Sequence, residues 1–450
     1  MPPVDTPNRR IQTPLPVAAD IELLDHLEQH ESRGMHGQLP LVWNSATDFQ
    51  VRDRWGNCWI DFTSTIFVAN TGHANPAVKA AIAETLEQDL LHSYTYPTEI
   101  RAKYLRRLIE FVPPRFEKAF LLSSGTEAAE CGIKLMRMYG QARGKRRGGI
   151  VAFEGAMHGR TMGAQMLGGT AAARAWIGYR DPDMHSLPFP YPWCVNGSGR
   201  ALAQAHLEDL TSRGLDPDRD LCGIAIESFL GWGAIFYPQD YIQTLVEFAR
   251  AHDLLVMFDE IQAGFGRTGR LFAYEHYDVE PDLLLCGKGM SGSLPLSAVL
   301  GSRDVMDLPA TGAMSSTHSA NPLSCAAGLA TLESIDSQDL VSEAARKGEI
   351  LFEALRRIKH RHGEVISHVL GKGMVAALLF CDAKTGAPLP DLASQVCELA
   401  MRRGLLLVHT GRESIKIGPP LTIPDAALRE GLEVLEESIA ELVVAACGSC

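Results

Sequence analysis

Short apolar runs alternate with amphipathic helical stretches between residues 75 and 310, and this alternation constrains the fold more than any other feature of the sequence. Strands separated by helices predict a mainly parallel central sheet flanked by helices, an α/β fold. Ligands of such sheets gather at the carboxyl ends of the strands, so the residues after each run are the first functional candidates. The predicted strands are 118–122, 149–153, 222–226, 254–258, 283–286 and 297–300.

The two ends of the chain predict a second, smaller α+β domain. Residues 1 to about 19 read as an extended arm, residues 20–30 as a helix capped by Asp20, and residues 49–61 as a hairpin. Beyond residue 325, helical stretches surround three short strands. We predict an N-terminal arm and small-domain segment at 1–74, a large cofactor-binding domain at 75–324 and a C-terminal domain at 325–450.

Charge and composition exclude several classes of protein. A net charge of −12 disfavours nucleic acid and anionic membranes as partners. Neither a signal peptide nor an apolar stretch of membrane-spanning length is visible, and the scattered cysteines are typical of free thiols in a reducing compartment. The terminal C-x-x-C pair, Cys447 and Cys450, has no second pair or histidine cluster beside it. We therefore interpret it as part of a frayed tail rather than as a metal or redox site. We therefore expect a cytoplasmic enzyme without a metal.

Two predicted strands end in ionisable groups. The run 254–258 leads directly into Asp259, and the run 283–286 leads through Gly287 into Lys288. A lysine at the mouth of a sheet can have its pKa lowered by desolvation, which makes it a usable amine nucleophile. Each group taken alone is more typical of a solvated strand end carrying ordinary surface charges, and that alternative stays open.

A third strand leads into a small-residue turn, SSGTEAAE, that opens a helix. Free N–H groups at a helix N-terminus bind anions, and the Ser and Thr hydroxyls add donors. The same residues also fit a capping box, with Ser124 as the cap and Glu127 three residues on. Both interpretations can hold together.

These parts in combination match what pyridoxal 5′-phosphate (PLP) requires: a phosphate cradle, a lysine nucleophile and a carboxylate for the pyridine nitrogen. From about residue 49 to 421, the chain resembles the class III (subgroup II) aminotransferases of PLP fold type I. The resemblance implies that fold, the PLP cofactor, an amine donor and a carbonyl acceptor as partners, and a homodimer with shared active sites.

The resemblance also implies individual roles. Lys288, in LLLCGKGMSGSLPLSAV, resembles the lysine that forms a Schiff base with PLP, and Asp259, in FDEIQAGFGRTG, the carboxylate that keeps the pyridine nitrogen protonated. Thr317, in SSTHSANPLSCAA, resembles the threonine that reaches the phosphate of the neighbouring subunit. The other implied cofactor-binding residues are Ser124, Gly125, Thr126, Met157, His158, Glu227 and Gln262.

The sequence departs from the family pattern at three places. Met157 stands where an aromatic residue usually stacks on the cofactor ring, and its thioether can still cover a π-face. After Glu227 the usual proline is absent, and Trp232 either lines the substrate channel or is packed in the core. Lys416 replaces the arginine that grips a substrate carboxylate; it brings a point charge but no fork, unless it is simply solvated at the surface.

The leading functional prediction is an aminotransferase acting on a primary amine and an aldehyde or ketone. Lys416 and the acidic charge lean towards a substrate such as a polyamine or amino sugar, and an α-amino acid stays open. The same cofactor supports epimerisation, racemisation or elimination, which differ in where the carbanion is reprotonated or what it expels. A non-catalytic PLP-binding protein is disfavoured, because lysine, carboxylate and cradle are all present.

Overall fold

The computed structural model describes residues 4–35, 37 and 39–447, without the side chains of 445–447, so the predicted Cys447–Cys450 pair lies outside the described side chains. The strands are β1 Val4–Asp5, β2 Arg10–Ile11, β3 Ser45–Thr47, β4 Gln50–Arg52, β5 Cys58–Asp61, β6 Lys118–Leu122, β7 Gly149–Phe153, β8 Met184–Leu187, β9 Leu221–Glu227, β10 Leu255–Asp259, β11 Leu283–Cys286, β12 Ser297–Gly301, β13 Ile366–Lys372, β14 Val375–Phe380, β15 Leu405–Leu406, β16 Val408–His409 and β17 Ser414–Ile417.

The helices are α1 Ile21–His30, α2 Ser64–Phe67, α3 Pro76–Glu87, α4 Glu99–Phe111, α5 Gly125–Ala142, α6 Met162–Leu167, α7 Ala171–Arg174, α8 Gly199–Ser212, α9 Pro217–Asp220, α10 Gln239–Ala251, α11 Arg303–Met306, α12 Pro322–Ser337, α13 Leu340–Arg361, α14 Pro390–Arg402 and α15 Asp425–Cys447. Short 3-10 turns are Ala18–Asp20, Arg33–Met35, Ala175–Ile177, Ala273–Tyr277 and Lys288–Met290. Within the described residues, no helix combines the length and apolar character needed to cross a membrane.

The chain divides into two compact units. The smaller unit takes the chain up to Asn75, the short piece Trp232–Ala234 and everything from Ser342 onward, and the larger unit takes Pro76–Gly231 and Ile235–Val341. The boundary predicted at 74/75 differs from this division by one residue. The boundary predicted at 324/325 falls inside α12, a helix that packs against α3 and α4 of the larger unit.

The larger unit is built on a seven-stranded sheet in the order β6-β12-β11-β10-β9-β7-β8. Strands β7 to β11 run parallel, and β12 runs antiparallel to both β6 and β11, which confirms a mainly parallel sheet. All six predicted strands are present, with ends that differ by at most one residue. The edge strand β8 was missed because its sequence, MHSL, is short and half polar.

Helix α5 packs closely on this sheet. Ala128 and Ala129 are fully buried, and a Cβ on Gly132 would lie 2.3 Å from the Met257 sulfur in β10. Small residues therefore let the helix approach the strands. Because α5 begins directly after β6, this packing holds its N-terminus at the edge of the sheet where the strands end.

The smaller unit contains two further sheets. One has the order β1-β2-β5-β4-β3 with β15 beside β5, and the other is the antiparallel sheet β13-β14-β17-β16. The hairpin predicted over 49–61 is formed by β4 and β5. The Asp20 cap is wrong: its side chain makes no capping bond to α1, because its carboxylate accepts hydrogen bonds from Arg54 and Trp55 instead.

Candidate active site

Two buried carboxylates stand side by side where neighbouring parallel strands end. Strand β9 ends at Glu227 and β10 at Asp259, and these two residues are paired in register. Both are buried. Charge concentrated at the carboxyl edge of a parallel sheet is the usual setting of a ligand site in α/β proteins.

His158 is held by one of these carboxylates. Its Nδ1 donates to Asp259 Oδ2 over 2.8 Å, and the other Asp259 oxygen, Oδ1, accepts from the Ile261 amide. Burial has the largest effect on His158 and lowers its pKa, but the hydrogen bond and the charges of Asp259 and Glu227 outweigh it and leave the pKa above the ordinary value. The buried Nε2 has no hydrogen-bond partner among the described residues.

Glu227 is tied to the loop that carries His158. Its Oε2 accepts a hydrogen bond from the Met157 amide at 3.0 Å. Burial raises the pKa of this carboxyl to about 7. A Cβ on Gly231 would lie 2.6 Å from Glu227 Oε1 and 3.2 Å from Gln262 Oε1, so glycine at this position leaves room for both side chains.

Lys288 follows β11 and begins a short 3-10 turn. Its φ of 45° lies in the left-handed region, a strained conformation for a lysine and one that concentrates at functional sites. Burial lowers its pKa, while the Asp259 and Glu227 charges act in the opposite direction. The structure thus brings together the lysine and the carboxylate that the sequence placed behind two separate strands.

The N-terminus of α5 supplies the anion-binding part. Ser124 is the N-cap, and Glu127 completes the predicted capping box by accepting from the Ser124 amide at 2.8 Å. The amides of Gly125 and Thr126, at the first two helical positions, have no acceptor within the helix. The helix dipole and these amides together favour a phosphate at this end.

Three further predicted residues have distinct environments. Met157 is 45% exposed, so its side chain is available for contact with a ligand. Thr317 is exposed, and its carbonyl oxygen lies 3.0 Å from His92 Nε2. Lys416, in the smaller unit, is only 5% exposed and its Nζ lies 4.9 Å from the centre of the Phe67 ring, so the alternative of a solvated surface lysine is wrong.

The sequence reasoning missed two supporting networks. Thr161 Oγ1 lies 2.6 Å from Thr126 Oγ1 and donates a hydrogen bond to Glu130. In the sequence, the one indication of a role for Thr161 is its position three residues after His158. Buried Glu260 accepts from Ser228 Oγ at 2.6 Å and from the amides of the loop that begins at Ala273. These contacts join residues far apart in the chain, which a local motif does not reveal.

The residues present fit PLP. The α5 N-terminus suits its phosphate, and Lys288 lies within electrostatic reach of Asp259, the carboxylate suited to a protonated ring nitrogen. The unpartnered His158 Nε2 is a buried polar atom at the same site.

Comparison with known proteins agrees with this geometry. Residues 32–439 match the family model of the class III aminotransferases. The 2-aminoadipate transaminase of Pseudomonas putida is 35% identical over 90% of this chain and 96% of its own length. The alanine/serine racemase of Pyrococcus horikoshii is 30% identical over 93% of this chain and 90% of its own length.

A solved structure extends the likeness to three dimensions. The ornithine aminotransferase of Toxoplasma gondii superposes with a TM-score of 0.82 at 25% identity, covering 94% of this chain and 95% of that one, and it holds PLP at partial occupancy in its active site. The family match spans most of the chain and includes every predicted cofactor-binding residue. The chain therefore belongs to the class III aminotransferases, which are PLP-dependent enzymes of fold type I.

Proposed function

We propose that this enzyme transfers an amino group from a primary amine to an aldehyde or ketone, with PLP held as a Schiff base on Lys288. The observation that carries the proposal is the lysine with a lowered pKa beside two buried carboxylates. When bound, PLP supplies the electron sink that stabilises negative charge on the carbon bearing the amine.

Each site residue has a role that its surroundings support. Burial lowers the pKa of the Lys288 amine and so favours its neutral form, which would be the base that moves a proton between the amine carbon and the bound cofactor. Asp259 would hold the proton on the ring nitrogen of PLP, and His158 orients Asp259 through the 2.8 Å hydrogen bond. By resemblance to the family, Gln262 would contact the ring hydroxyl of PLP and Met157 would cover its ring.

The alternative is racemisation, epimerisation or elimination on the same cofactor. It is favoured by one specific finding, the relative named alanine/serine racemase. The residues at the edge of the sheet serve either outcome, because both begin with removal of a proton beside the amine.

A half-reaction distinguishes transamination from racemisation, epimerisation or elimination. The holoenzyme is mixed with a panel of primary amines, including alkyl amines, ω-amino acids, amino sugars and α-amino acids, without a carbonyl acceptor. A transaminase converts its cofactor to the pyridoxamine form and the absorbance changes permanently. An enzyme that inverts or eliminates returns to the starting spectrum while its substrate is consumed, and that result would contradict the proposal.

We also infer a homodimer with shared active sites. Thr317 resembles a residue that reaches the neighbouring subunit's phosphate, and its carbonyl lies beside His92. The segment around His92 exposes large apolar side chains, most of all Tyr96 at 76%. Exposed apolar side chains next to Thr317 support a partner subunit at this surface.

The remaining proposals concern the setting of the enzyme. The cysteines among the described side chains are free thiols, which supports the reducing conditions of the cytoplasm. The expected partners are a small amine donor and a small carbonyl acceptor. The location is tested by comparing the rate of PLP-dependent turnover in the cytoplasmic and membrane fractions of the source cells, and the activity should be found in the cytoplasmic fraction.

A further inference from the structure

Thr161 stands at the N-cap of α6, where a threonine hydroxyl ordinarily accepts a hydrogen bond from an amide of the first turn. Its side chain makes no such bond. Glu130 of α5 accepts these hydrogen bonds instead, since its Oε1 lies 2.9 Å from the Gly163 amide and 3.1 Å from the Ala164 amide. A Cβ on Gly163 would lie 2.3 Å from Glu130 Oε2, so glycine at this position leaves room for the carboxylate. A side chain of α5 thus caps α6.

The Thr161 hydroxyl is released by this arrangement for contacts of its own. It donates to Glu130 Oε1 at 2.5 Å, and its oxygen lies 2.6 Å from Thr126 Oγ1. A hydroxyl has one hydrogen and an ionised carboxylate only accepts, so Thr161 must be the acceptor in its contact with Thr126. The hydrogen of the Thr126 hydroxyl therefore points to Thr161, and Glu130 fixes that direction.

The other hydroxyl at the start of α5 also donates to a protein acceptor. Ser124 Oγ donates to Glu127 Oε2 at 3.0 Å within the capping box. With both hydroxyl hydrogens directed to protein oxygens, the donors that this turn offers to a phosphate are the backbone amides of Gly125 and Thr126. The hydroxyl of Thr126 is used to hold the loop after β7 instead.

That loop, residues 157–161, is held at both ends. At its start, the Met157 amide donates to a buried carboxylate of the sheet at 3.0 Å. At its end, the Thr161 amide donates to Thr126 Oγ1 at 3.3 Å. Between them, Gly159 has a φ of 146°, and a Cβ there would lie 2.2 Å from Thr126 Oγ1, so glycine lets the loop run this close to α5. Contacts from α5 therefore help to set the position of the loop that carries Met157.

We propose that Glu130 is a positioning residue of the cofactor site. It acts through Thr161: it locks the loop 157–161 to the start of α5 and directs the Thr126 hydroxyl to that loop rather than to an anion. The inference rests on the proposed placement of the PLP phosphate at the N-terminus of α5. The residues for the ring and the amides for the phosphate are thereby held at one fixed spacing, which PLP requires and a free phosphate ion does not.

The test compares the binding of PLP and of inorganic phosphate. Apoenzyme is titrated with PLP, and phosphate is measured as a competitor, so that both dissociation constants refer to one site. Glu130→Ala releases the loop, so PLP affinity should fall about tenfold, the size of one hydrogen bond to a charged group. The visible circular dichroism of the bound cofactor, which reports how its ring is held, should weaken. Phosphate should bind this variant as tightly as the wild type or more tightly, because the Thr126 hydroxyl becomes available and a negative charge is removed.

Conservative variants locate the cause. Glu130→Gln keeps an acceptor oxygen for Thr161 and for the α6 amides, so its PLP affinity should stay within about threefold of the wild type. Thr161→Val cuts the link to Thr126 but leaves Glu130 on α6, and it should weaken PLP binding several-fold without weakening phosphate binding. Thr161→Ser keeps the hydroxyl and should bind both anions as the wild type does.

Asp240 provides the matched control for capping. From the first turn of α10, its carboxylate accepts from the Arg200 amide in the first turn of α8 at 3.0 Å. A Cβ on Gly199 would lie 2.2 Å from Asp240 Oδ1, so this contact resembles that of Glu130 with Gly163. Asp240→Ala should lower the midpoint of urea unfolding about as much as Glu130→Ala does, with both dissociation constants unchanged.

Three results would overturn the inference: equal losses of PLP and phosphate affinity in Glu130→Ala, which a collapse of the turn would give; an unchanged PLP affinity in that variant; or a loss in Glu130→Gln as large as in Glu130→Ala. If phosphate does not compete with PLP in the wild type, the proposed phosphate site fails and this inference fails with it. None of these measurements uses turnover, so they leave the proposed transfer of an amino group to its own test.

Discussion

The reactivity of the Lys288 amine depends on the residues around it in space more than on its neighbours in sequence. Burial lowers the pKa of its amine, and the strained left-handed backbone holds the side chain beside Asp259 and Glu227. Lys288→Ala should therefore abolish both catalysis and the covalent link to PLP. Borohydride reduction followed by mass analysis of peptides checks this. Lys416→Ala is the control and should keep the link; a reducible covalent cofactor in Lys288→Ala would mean that another lysine holds it.

Glu227 should influence the pH at which Lys288 reacts. Its negative charge raises the pKa of Lys288 against the effect of burial, so Glu227→Gln should lower the pKa of the lysine further. The reactive form is the neutral amine, and its appearance should therefore move to lower pH in the variant. The rate at which the apoenzyme recombines with PLP, measured from pH 6 to 10, reports this midpoint. Glu154→Gln, at an exposed glutamate, should leave the midpoint unchanged.

At the scale of elements, the N-terminus of α5 is expected both to stabilise the helix through its cap and to bind the cofactor phosphate. Ser124 caps the helix, and the same turn offers free amides to a phosphate. Ser124→Ala should cost about 1 kcal/mol in the free energy of unfolding and weaken PLP binding roughly tenfold through loss of order in the cradle.

Helix α8 provides the matched control. Ser198 caps it in the same way, with its hydroxyl accepting from the Ala201 amide at 3.1 Å. Ser198→Ala should lower stability by a similar amount without changing the dissociation constant of PLP. Urea denaturation and cofactor titration of both variants separate capping from binding; equal PLP affinities in the two would remove Ser124 from the cofactor site.

At the scale of the whole molecule, a lone subunit should have an incomplete site. Replacing the exposed Tyr96 with Asp places a charge in the proposed subunit contact, so Tyr96→Asp should give a monomer with PLP affinity about tenfold weaker, because the contact supplied by Thr317 is lost. Sedimentation alongside PLP titration measures both. Val444→Asp, at another exposed apolar position, should stay dimeric, and a wild-type monomer with full activity would refute the shared site.

The sequence by itself determined six of the seven strands of the central sheet and the residues that follow two of them. Each signal is local: a strand is a short apolar run, and Asp259 and Lys288 stand immediately behind theirs. The capping box at Ser124 is equally local, since cap and partner are three residues apart. Chain-order motifs of this kind were sufficient to identify the family and its cofactor.

Only the tertiary structure decided how distant residues meet. His158 and Asp259 are 101 positions apart and join through a buried hydrogen bond that no spacing rule predicts. Residues 64–67 all have positive φ and form a left-handed turn that contains no glycine, so the local sequence does not predict it. The strain of this turn is offset by contacts from the far end of the chain, such as the hydrogen bond from Ser64 to the Gly418 carbonyl. The sequence likewise did not decide whether Lys416 is solvated at the surface or buried, whereas the structure buries it against Phe67.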